Sequence, residues 1–170
     1  MILGRNYFKE SAIHLAPDLV GKLLCRRLNN GSIIKARITE TECYFGEEDT
    51  ACHAHKGKTE RTKTMYEEGG ITYVYLCYGI HSLLNIVTGE SGHPEAVLIR
   101  GVEGAVGPGR ATKLLQITLC DNALPLTEES GIWIEDDGAK VPKLEKLPRV
   151  GIDYADKRDR NRKWRFVIKK

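Results

Sequence analysis

The stretch that most constrains the fold is residues 33–44, IIKARITETECY, which predicts a long β-strand. It is rich in β-branched residues, and no glycine or proline interrupts it before Gly46. Side chains two residues apart on a strand share a face, so Glu40, Glu42 and Tyr44 point the same way. Two carboxylates and a phenol on one face indicate either a solvated surface or the floor of an aromatic pocket.

A second strand, rich in aromatic residues, favours the pocket. Residues 71–78, ITYVYLCY, are followed by a glycine and by a returning strand over 82–87, which predicts a β-hairpin. Tyr73 and Tyr75 share one face of the first strand. Tyr78 falls at or near the hairpin tip, where a large aromatic side chain either packs against the protein or inserts into a partner.

The rest of the chain shows shorter patterns. An apolar stripe after Pro17 predicts a helix over 15–27, and a strand over 95–102 carries Arg100. The turn GPGR precedes a helix over 111–119, and such a helix start can hold an anion. The remaining predictions are a loose leader over 1–10, a basic loop over 53–65, a short strand over 131–137, a loop over 142–148 and closing strands over 149–153 and 164–168.

Composition excludes several classes of protein. With 41% hydrophobic and 29% charged residues, the 170-residue chain fits one globular domain. No segment reaches the ~18 apolar residues of a membrane span, and the first residues lack the apolar core of a signal peptide. We therefore expect a cytosolic or nuclear protein with no membrane partner. The five cysteines are odd in number and scattered, which favours reduced thiols over a disulfide framework.

Positive charge is concentrated in two segments. The net charge is +3, but residues 157–170 hold eight basic residues and one acid, so the rest of the chain is net acidic. The predicted loop over 53–65 is also basic and includes Arg61. Both segments suit the phosphate backbone of a nucleic acid, and both are also typical of solvated surface.

Several motifs occur in an order and spacing that together resemble the alkyladenine (3-methyladenine) DNA glycosylase family. They are Glu42 within ETECY, His53, the YVYLCYG run, Asn85, Arg100, the GPGR turn and the closing PRVGIDYA and WRF segments, which extend the resemblance from Leu15 to Phe166. The resemblance implies a DNA repair enzyme that flips a damaged purine out of the duplex. It would hydrolyse the N-glycosidic bond with an activated water and so initiate base excision repair. The implied lesions are alkylated or deaminated purines of the 3-methyladenine, 7-methylguanine, hypoxanthine and ethenoadenine class.

The resemblance also implies roles for individual residues in the reaction. Glu42 is expected to be the general base, with Arg100 as its partner in holding the water. The family pattern, and not the strand parity, selects Glu42 over Glu40. A carboxylate at this place can accept a proton from water and stabilise an oxocarbenium-like sugar. The base pocket is implied to comprise Tyr44, His53, Tyr75 and Asn85, with Asn85 crowding the 2-amino group of normal guanine.

Three more positions are implied to contact DNA: Tyr78 as the wedge that fills the gap left by the flipped base, and Arg61 and Arg110 as phosphate contacts. We expect double-stranded DNA as the partner, a monomer, no cofactor and no metal. No lysine near Glu42 is evident as a Schiff-base nucleophile, so we expect a monofunctional glycosylase that leaves the strand intact. The expected location is the cytoplasm, associated with the nucleoid, in a bacterium, or the nucleus in a eukaryote.

The expected fold is mixed α/β (α+β), with one glycosylase domain over residues 1–170 that includes the 1–10 leader and the basic C-terminal segment over 157–170. Its core is expected to be a curved, mostly antiparallel sheet surrounded by helices. Two segments depart from the family pattern. The 53–65 loop looks slightly short, and the 154–163 segment lacks the aromatic residue expected soon after its YA pair. These departures bear on DNA contacts and substrate range.

Two alternatives remain open from the residues. Cys43, Cys52, His53 and His55 could ligate a metal, although their spacing matches no common zinc pattern and Cys43 is predicted to face away from Glu42. The other alternative is a nucleic-acid-binding module without catalytic activity. A metal analysis tests the first, and release of free base from lesion-containing DNA tests the second.

Overall fold

The computed structural model describes residues 1–141 and 143–169. Pro142, in the predicted 142–148 loop, and Lys170, in the basic segment, lie outside the described residues. The helices are α1 (Ala12–Leu19), α2 (Pro108–Leu114) and α3 (Lys157–Asn161), with short 3₁₀ helices at Arg5–Lys9, His53–Lys56, Lys63–Tyr66 and Leu119–Asp121. The strands are β1 (Leu23–Arg27), β2 (Ile33–Phe45), β3 (Thr72–Cys77), β4 (His81–Val87), β5 (Glu95–Val102), β6 (Ala105–Val106), β7 (Ile132–Glu135), β8 (Leu144–Leu147) and β9 (Arg165–Ile168). None of the helices in these two ranges is long and apolar enough to cross a membrane.

The described strands form one curled antiparallel sheet with the shape of half a barrel. Its order is β3-β4-β5-β2-β1-β7, with β6 paired to β5, and β9 paired to both β2 and β8. α1 contacts β2 and β5, and α2 contacts β4 and β5. The architecture agrees with the predicted mixed α/β class and curved antiparallel sheet. The predicted surrounding shell of helices is an overstatement, because the helices cover only part of the sheet.

Strand β2 organises the sheet. Its first half pairs with β1 and its second half with β5, and residues 40–42 also pair with β9. The register with β5 shifts on either side of Glu40, and irregularities of this kind bend a strand. Glu40 is only 7% exposed and Glu42 is fully buried. The interpretation of this face as a solvated surface is therefore wrong, and the face belongs to the protein interior.

The helix predicted over 15–27 is wrong in its second half. α1 ends at Leu19, because Gly21 takes φ +95°, a conformation that glycine adopts without the steric cost of a Cβ atom. The chain then turns into β1, which lies between β2 and β7. Leu24 and Cys25 are buried there. The leucines after Gly21 thus belong to a strand that is paired on both sides, and its apolar run resembles part of a helical stripe.

Residues 1–10, predicted as a loose leader, pack against the sheet. Phe8 is fully buried and Leu3 is nearly so. The backbone of Ile2 bridges to Glu135, and the Leu3 N–H donates to the Ile134 carbonyl oxygen, so this segment lies along β7. The N-terminal residues are thus part of the packed structure.

The closing part of the chain differs from its prediction in two places. The described part of the predicted 142–148 loop contains β8, which pairs with β9. Residues 149–153, predicted as a strand, form bends and turns instead. They are held by Arg149, whose buried guanidinium pairs with Asp49 at 2.6 Å. A side-chain ion pair thus replaces strand pairing in this segment.

His93 connects two acidic side chains near the start of β5. Its Nδ1 lies 2.7 Å from Glu95 Oε2 and its Nε2 lies 2.9 Å from Glu48 Oε1. Glu95 is buried, and its other oxygen accepts the Ala12 N–H at the start of α1. Burial lowers the pKa of His93, but the hydrogen bonds to Glu95 and Glu48 outweigh burial and raise the pKa above its ordinary value of 6.5.

We predict that His93→Gln destabilises the protein more at acidic than at alkaline pH. Because the folded pKa lies above the unfolded value, protonation of His93 contributes stability that is fully present below that unfolded value. The contribution is lost as the pH rises through the folded pKa. Urea unfolding of both proteins at about pH 6 and about pH 9 measures the difference in free energy of unfolding. A difference that does not change with pH would contradict the prediction.

Candidate active site

A cleft of about 1010 Å³ opens between the β3–β4 hairpin, α2 and residues 150–154. All nine site residues predicted from the sequence line this cleft: Glu42, Tyr44, His53, Arg61, Tyr75, Tyr78, Asn85, Arg100 and Arg110. The structure therefore brings together side chains that lie as much as 68 positions apart in the chain. Their individual roles remain predictions.

Glu42 is the fully buried carboxylate of the cleft. Its Oε1 accepts a hydrogen bond from the Tyr44 hydroxyl at 2.9 Å, and its Oε2 accepts one from the Val150 N–H at 2.7 Å. Burial raises the pKa of Glu42, whereas Arg100, the Val150 N–H and the Tyr44 hydroxyl favour the ionised form. The net shift is upward, so this carboxylate is more basic than an exposed glutamate, which suits a general base.

Arg100 lies between two carboxylates on β2. Its Nε donates to Glu40 Oε1 at 3.2 Å, while its Nη1 is 3.9 Å from Glu42 Oε1, beyond hydrogen-bond distance. Arg165 Nη1 donates to the same Glu40 oxygen at 3.1 Å. Glu40, which parity alone could not distinguish from Glu42, thus holds the arginine that faces Glu42.

Tyr44 joins the carboxylate to a buried cation. Burial raises the pKa of Tyr44 well above its ordinary value, so the hydroxyl stays protonated and donates to Glu42. The Arg149 guanidinium lies 4.9 Å from the centroid of the Tyr44 ring and 5.0 Å from that of Trp164. Arg149 also donates to the Cys43 carbonyl oxygen at 2.8 Å. Arg149 therefore holds the Tyr44 ring in place and anchors the segment that carries Val150 to β2.

His53 and two tyrosines of β3 form an aromatic wall. The His53 ring lies 4.5 Å from the Tyr75 ring at an interplanar angle of 70°, and Tyr73 lies 5.5 Å from Tyr75. His53 Nδ1 is 3.3 Å from the Tyr73 hydroxyl, with donor and acceptor set by the imidazole tautomer. Burial, and then the nearby Arg61, lower the pKa of His53 to about 4. The imidazole is therefore neutral and offers one donor and one acceptor.

The 53–65 loop is ordered by its own hydrogen bonds. Thr62 is buried; its Oγ1 accepts the Thr59 N–H at 2.9 Å and donates to the Gly57 carbonyl oxygen at 3.2 Å. The hydroxyl groups of Thr59 and Thr62 are thus used within the loop. Arg61 points into the cleft, with its guanidinium 5.2 Å from the centroid of the Tyr75 ring.

The strand order of the sheet places Asn85 next to the cleft. It lies opposite Leu98 of β5, and Leu98 lies opposite Glu42 of β2. The Asn85 side chain is buried and its Nδ2 donates to the Tyr73 carbonyl oxygen at 3.3 Å. Asn85 and Glu42 therefore occupy neighbouring positions on the two strands that flank β5.

Tyr78 lies at the hairpin tip, as predicted. Its φ is +52° and that of Gly79 is +66°, as in the tight turns that connect antiparallel strands. The Tyr78 side chain is 91% exposed, and it lies on the rim of the cleft. A packing role against the protein body is therefore excluded for this side chain. Arg110, which also lines the cleft, lies within α2, which covers Pro108–Leu114 and not 111–119.

Two residues of the closing segment, Arg149 and Val150, support the site but were not predicted from the sequence. Val150 acts through its backbone N–H, which no side-chain pattern can indicate, and Arg149 is signalled only as part of the PRVG motif. The metal alternative lacks support from the geometry. Within residues 1–141 and 143–169, no three His, Cys, Asp or Glu side chains cluster in a way that could hold a metal ion.

The comparison with known families agrees with this geometry. The family model described as Methylpurine-DNA glycosylase (MPG) matches residues 6–106 and 103–170. The chain belongs to the methylpurine-DNA glycosylase family. The resemblance noted from the motifs is thereby confirmed.

Curated relatives of this family align over nearly the whole chain. A protein of Psychrobacter cryohalolentis is 44% identical over 91% of this chain and 86% of its own length. Proteins of Borrelia garinii subsp. bavariensis and Methanocella arvoryzae are each 39% identical, over 98% and 99% of this chain and 96% and 92% of their own lengths. Each of the three bears the name "Putative 3-methyladenine DNA glycosylase".

We predict that His53 titrates with a pKa of about 4. Arg61→Gln should raise the pKa part of the way towards 6.5, because it removes the second cause of the shift and leaves the burial. Imidazole NMR titration measures both values. Lys58→Gln is the matched control, since Lys58 belongs to the same loop but lies against the Tyr66 ring. Titration of wild-type His53 near 6.5 would contradict the prediction.

Proposed function

We propose that this protein is a DNA repair glycosylase that removes alkylated or deaminated purines from double-stranded DNA by hydrolysis of the N-glycosidic bond. The observation that carries the proposal is the Glu42 carboxylate in the cleft, held by the Tyr44 hydroxyl and the Val150 N–H and faced by Arg100. The curated relatives, by their names, support a DNA glycosylase for 3-methyladenine. The wider lesion class, the general-base mechanism and the role of each residue are parts of this proposal.

Glu42 acts as the general base in the proposed reaction. Cleavage passes through an oxocarbenium-like sugar, and the base leaves with the electron pair of the glycosidic bond. Water attacks the sugar C1′ and gives its proton to Glu42. The negative charge of Glu42 also stabilises the positive sugar, an effect that burial strengthens because less water screens it.

Tyr44 and the aromatic wall together receive the flipped purine. The rings of Tyr44, His53 and Tyr75 offer flat surfaces for stacking, which is worth roughly 0.5–1.5 kcal/mol for each aromatic pair. Neutral His53 can donate or accept a hydrogen bond at the edge of the base. Asn85 narrows the cleft beside Glu42 and crowds the 2-amino group of normal guanine. A damaged or mispaired base also costs least to flip, which adds selectivity before the base reaches the cleft.

The proposed enzyme is monofunctional. A glycosylase that also cuts the strand commonly forms a Schiff base through an amine. The groups described around Glu42 are a hydroxyl, a backbone N–H and a guanidinium. Among the described residues that line the cleft, the sole lysine is Lys113, on α2. We therefore propose simple hydrolysis, with the sugar–phosphate backbone left intact. That the enzyme acts as a monomer is a separate part of the proposal.

We predict that Glu42→Gln binds lesion DNA but releases free base far more slowly than the wild type. The change removes the basic carboxylate and little volume, and loss of a general base costs about 10²–10⁴-fold in rate. Single-turnover base release from duplexes that each contain one lesion measures the rate, and filter binding measures the affinity. The panel contains 3-methyladenine, 7-methylguanine, hypoxanthine and ethenoadenine.

The matched control is Glu103→Gln, which removes an exposed carboxylate from the turn between β5 and β6. It accounts for the effect of net charge on DNA binding and should release base at the wild-type rate. Near-normal release by Glu42→Gln would refute the mechanism. A wild-type protein that binds DNA but releases no base from any lesion would instead indicate the binding module without catalytic activity.

We predict that Tyr78→Ser weakens base flipping without altering the attacking water. A side chain at an exposed hairpin tip can enter the minor groove and replace a flipped base in the stack, and unstacking a base step costs about a few kcal/mol. A fluorescent base beside the lesion reports the flipping equilibrium. Ile80→Ser, two residues further along the same turn and 75% exposed, is the control. Unchanged flipping by Tyr78→Ser would show that the wedge lies elsewhere.

A further inference from the structure

Glu40 is a buried carboxylate that the proposed mechanism does not use. Its side chain is about 10% exposed, and its Oε1 accepts hydrogen bonds from both Arg100 Nε and Arg165 Nη1, at 3.2 and 3.1 Å. A buried carboxylate is costly to keep unless its partners compensate its charge. Two guanidinium groups meet this requirement for Glu40.

The same guanidinium of Arg100 stands apart from Glu42. Arg100 Nη1 is 3.9 Å from Glu42 Oε1, whereas a direct arginine–carboxylate hydrogen bond measures roughly 2.7–2.9 Å. Because both carboxylates share one face of β2, the Arg100 guanidinium lies within reach of either one. In the structure its Nε is bonded to Glu40, and this bond fixes the guanidinium at its distance from Glu42.

We propose that Glu40 is a positioning residue that holds Arg100 back from Glu42 and thereby keeps Glu42 Oε1 open to the attacking water. This inference rests on the proposed function of Glu42 as the general base. It assigns to Glu40 a contribution to the rate of base release without contact with the substrate.

The hydrogen bonds of Glu42 show what Arg100 would block. A carboxylate oxygen can accept two hydrogen bonds, and Oε1 already accepts one from Tyr44. Its second position is the one through which a water proton can be taken up. If Arg100 closed onto Oε1, it would fill that position. It would also pair fully with the charge of Glu42 and make the carboxylate a weaker base.

Arg165 keeps Glu40 in place. It lies on β9 opposite Glu42, and its Nε donates to the Pro148 carbonyl oxygen at 2.8 Å while its Nη1 donates to Glu40. Pro148 is two residues before Val150, whose N–H holds the other oxygen of Glu42. Arg165 thus ties Glu40 to the segment that orients the Glu42 carboxylate.

The test compares the structure and the kinetics of Glu40→Gln with those of the wild type. The crystal structure of the free variant should show Arg100 in direct hydrogen bond to Glu42, at about 2.9 Å. Single-turnover base release should fall by roughly 10–100-fold, a part of the cost of losing a general base, while lesion affinity stays within about twofold. The acid limb of the pH–rate profile should move to lower pH, because a paired Glu42 ionises more readily.

Glu40→Met is the second variant, because glutamine retains an oxygen that can accept a hydrogen bond from Arg100. Methionine has a volume similar to that of glutamate but no acceptor oxygen. The shift of Arg100 and the loss of rate should therefore be larger for Glu40→Met than for Glu40→Gln. Glu103→Gln is again the control for net charge. Thermal unfolding confirms that each variant is folded, and if Glu40→Met does not fold, the structure of Glu40→Gln decides.

An Arg100–Glu42 distance that stays near the wild-type value in a folded variant would overturn the inference, as would a wild-type rate with an unmoved acid limb. Failure of the proposed function is a separate outcome. If the wild-type protein released no base from any lesion, the proposed glycosylase activity would be refuted. The crystal structures would then still decide whether Glu40 holds Arg100 away from Glu42.

Discussion

The burial of the Glu42 carboxylate is the constraint on which the rest of the site depends. A charge removed from water is stable only if polar groups of the protein compensate the loss of hydration. The compensating groups come from three parts of the chain: Tyr44 on β2, Arg100 on β5 and the backbone of Val150 in the closing segment. The site is therefore complete only when the sheet has curled and the closing segment has packed against it.

Arg149 makes this arrangement possible without regular secondary structure. The segment after β8 has no strand pairing to fix it, yet its N–H must meet a carboxylate oxygen. The Arg149 guanidinium donates to both oxygens of Asp49 and to the Cys43 carbonyl oxygen, and it packs between the Tyr44 and Trp164 rings. Loss of one partner of such a buried pair costs about 3–5 kcal/mol, so this arginine is expected to stabilise the fold and the site together.

The sequence predicts those features that depend on local pattern. The long strand that carries Glu42, the hairpin with Tyr78 at its tip and the strand with Arg100 are present where the alternation of side chains indicates them. The helix predicted over 15–27 is wrong in its second half, because a short leucine run fits a helix or a buried strand equally well and only pairing with β2 and β7 decides between them. The hydrogen bonds from the Val150 N–H to Glu42 and from Arg100 and Arg165 to Glu40 could not be predicted, because they depend on how distant segments of the chain pack together. The choice of Glu42 came from the family motif.

The ionisation of Glu42 in the free protein decides whether this carboxylate can act as a general base. Carboxyl ¹³C NMR titration of selectively labelled protein, with Glu42→Gln to assign the resonance, measures its pKa. We expect a pKa above the ordinary glutamate value of 4.5, because burial outweighs the favourable contacts. We also expect the carboxylate to be ionised at about pH 7, as a general base must be. A pKa at or below the ordinary value, or a carboxyl group still protonated at about pH 7, would show that Glu42 lacks the role assigned to it.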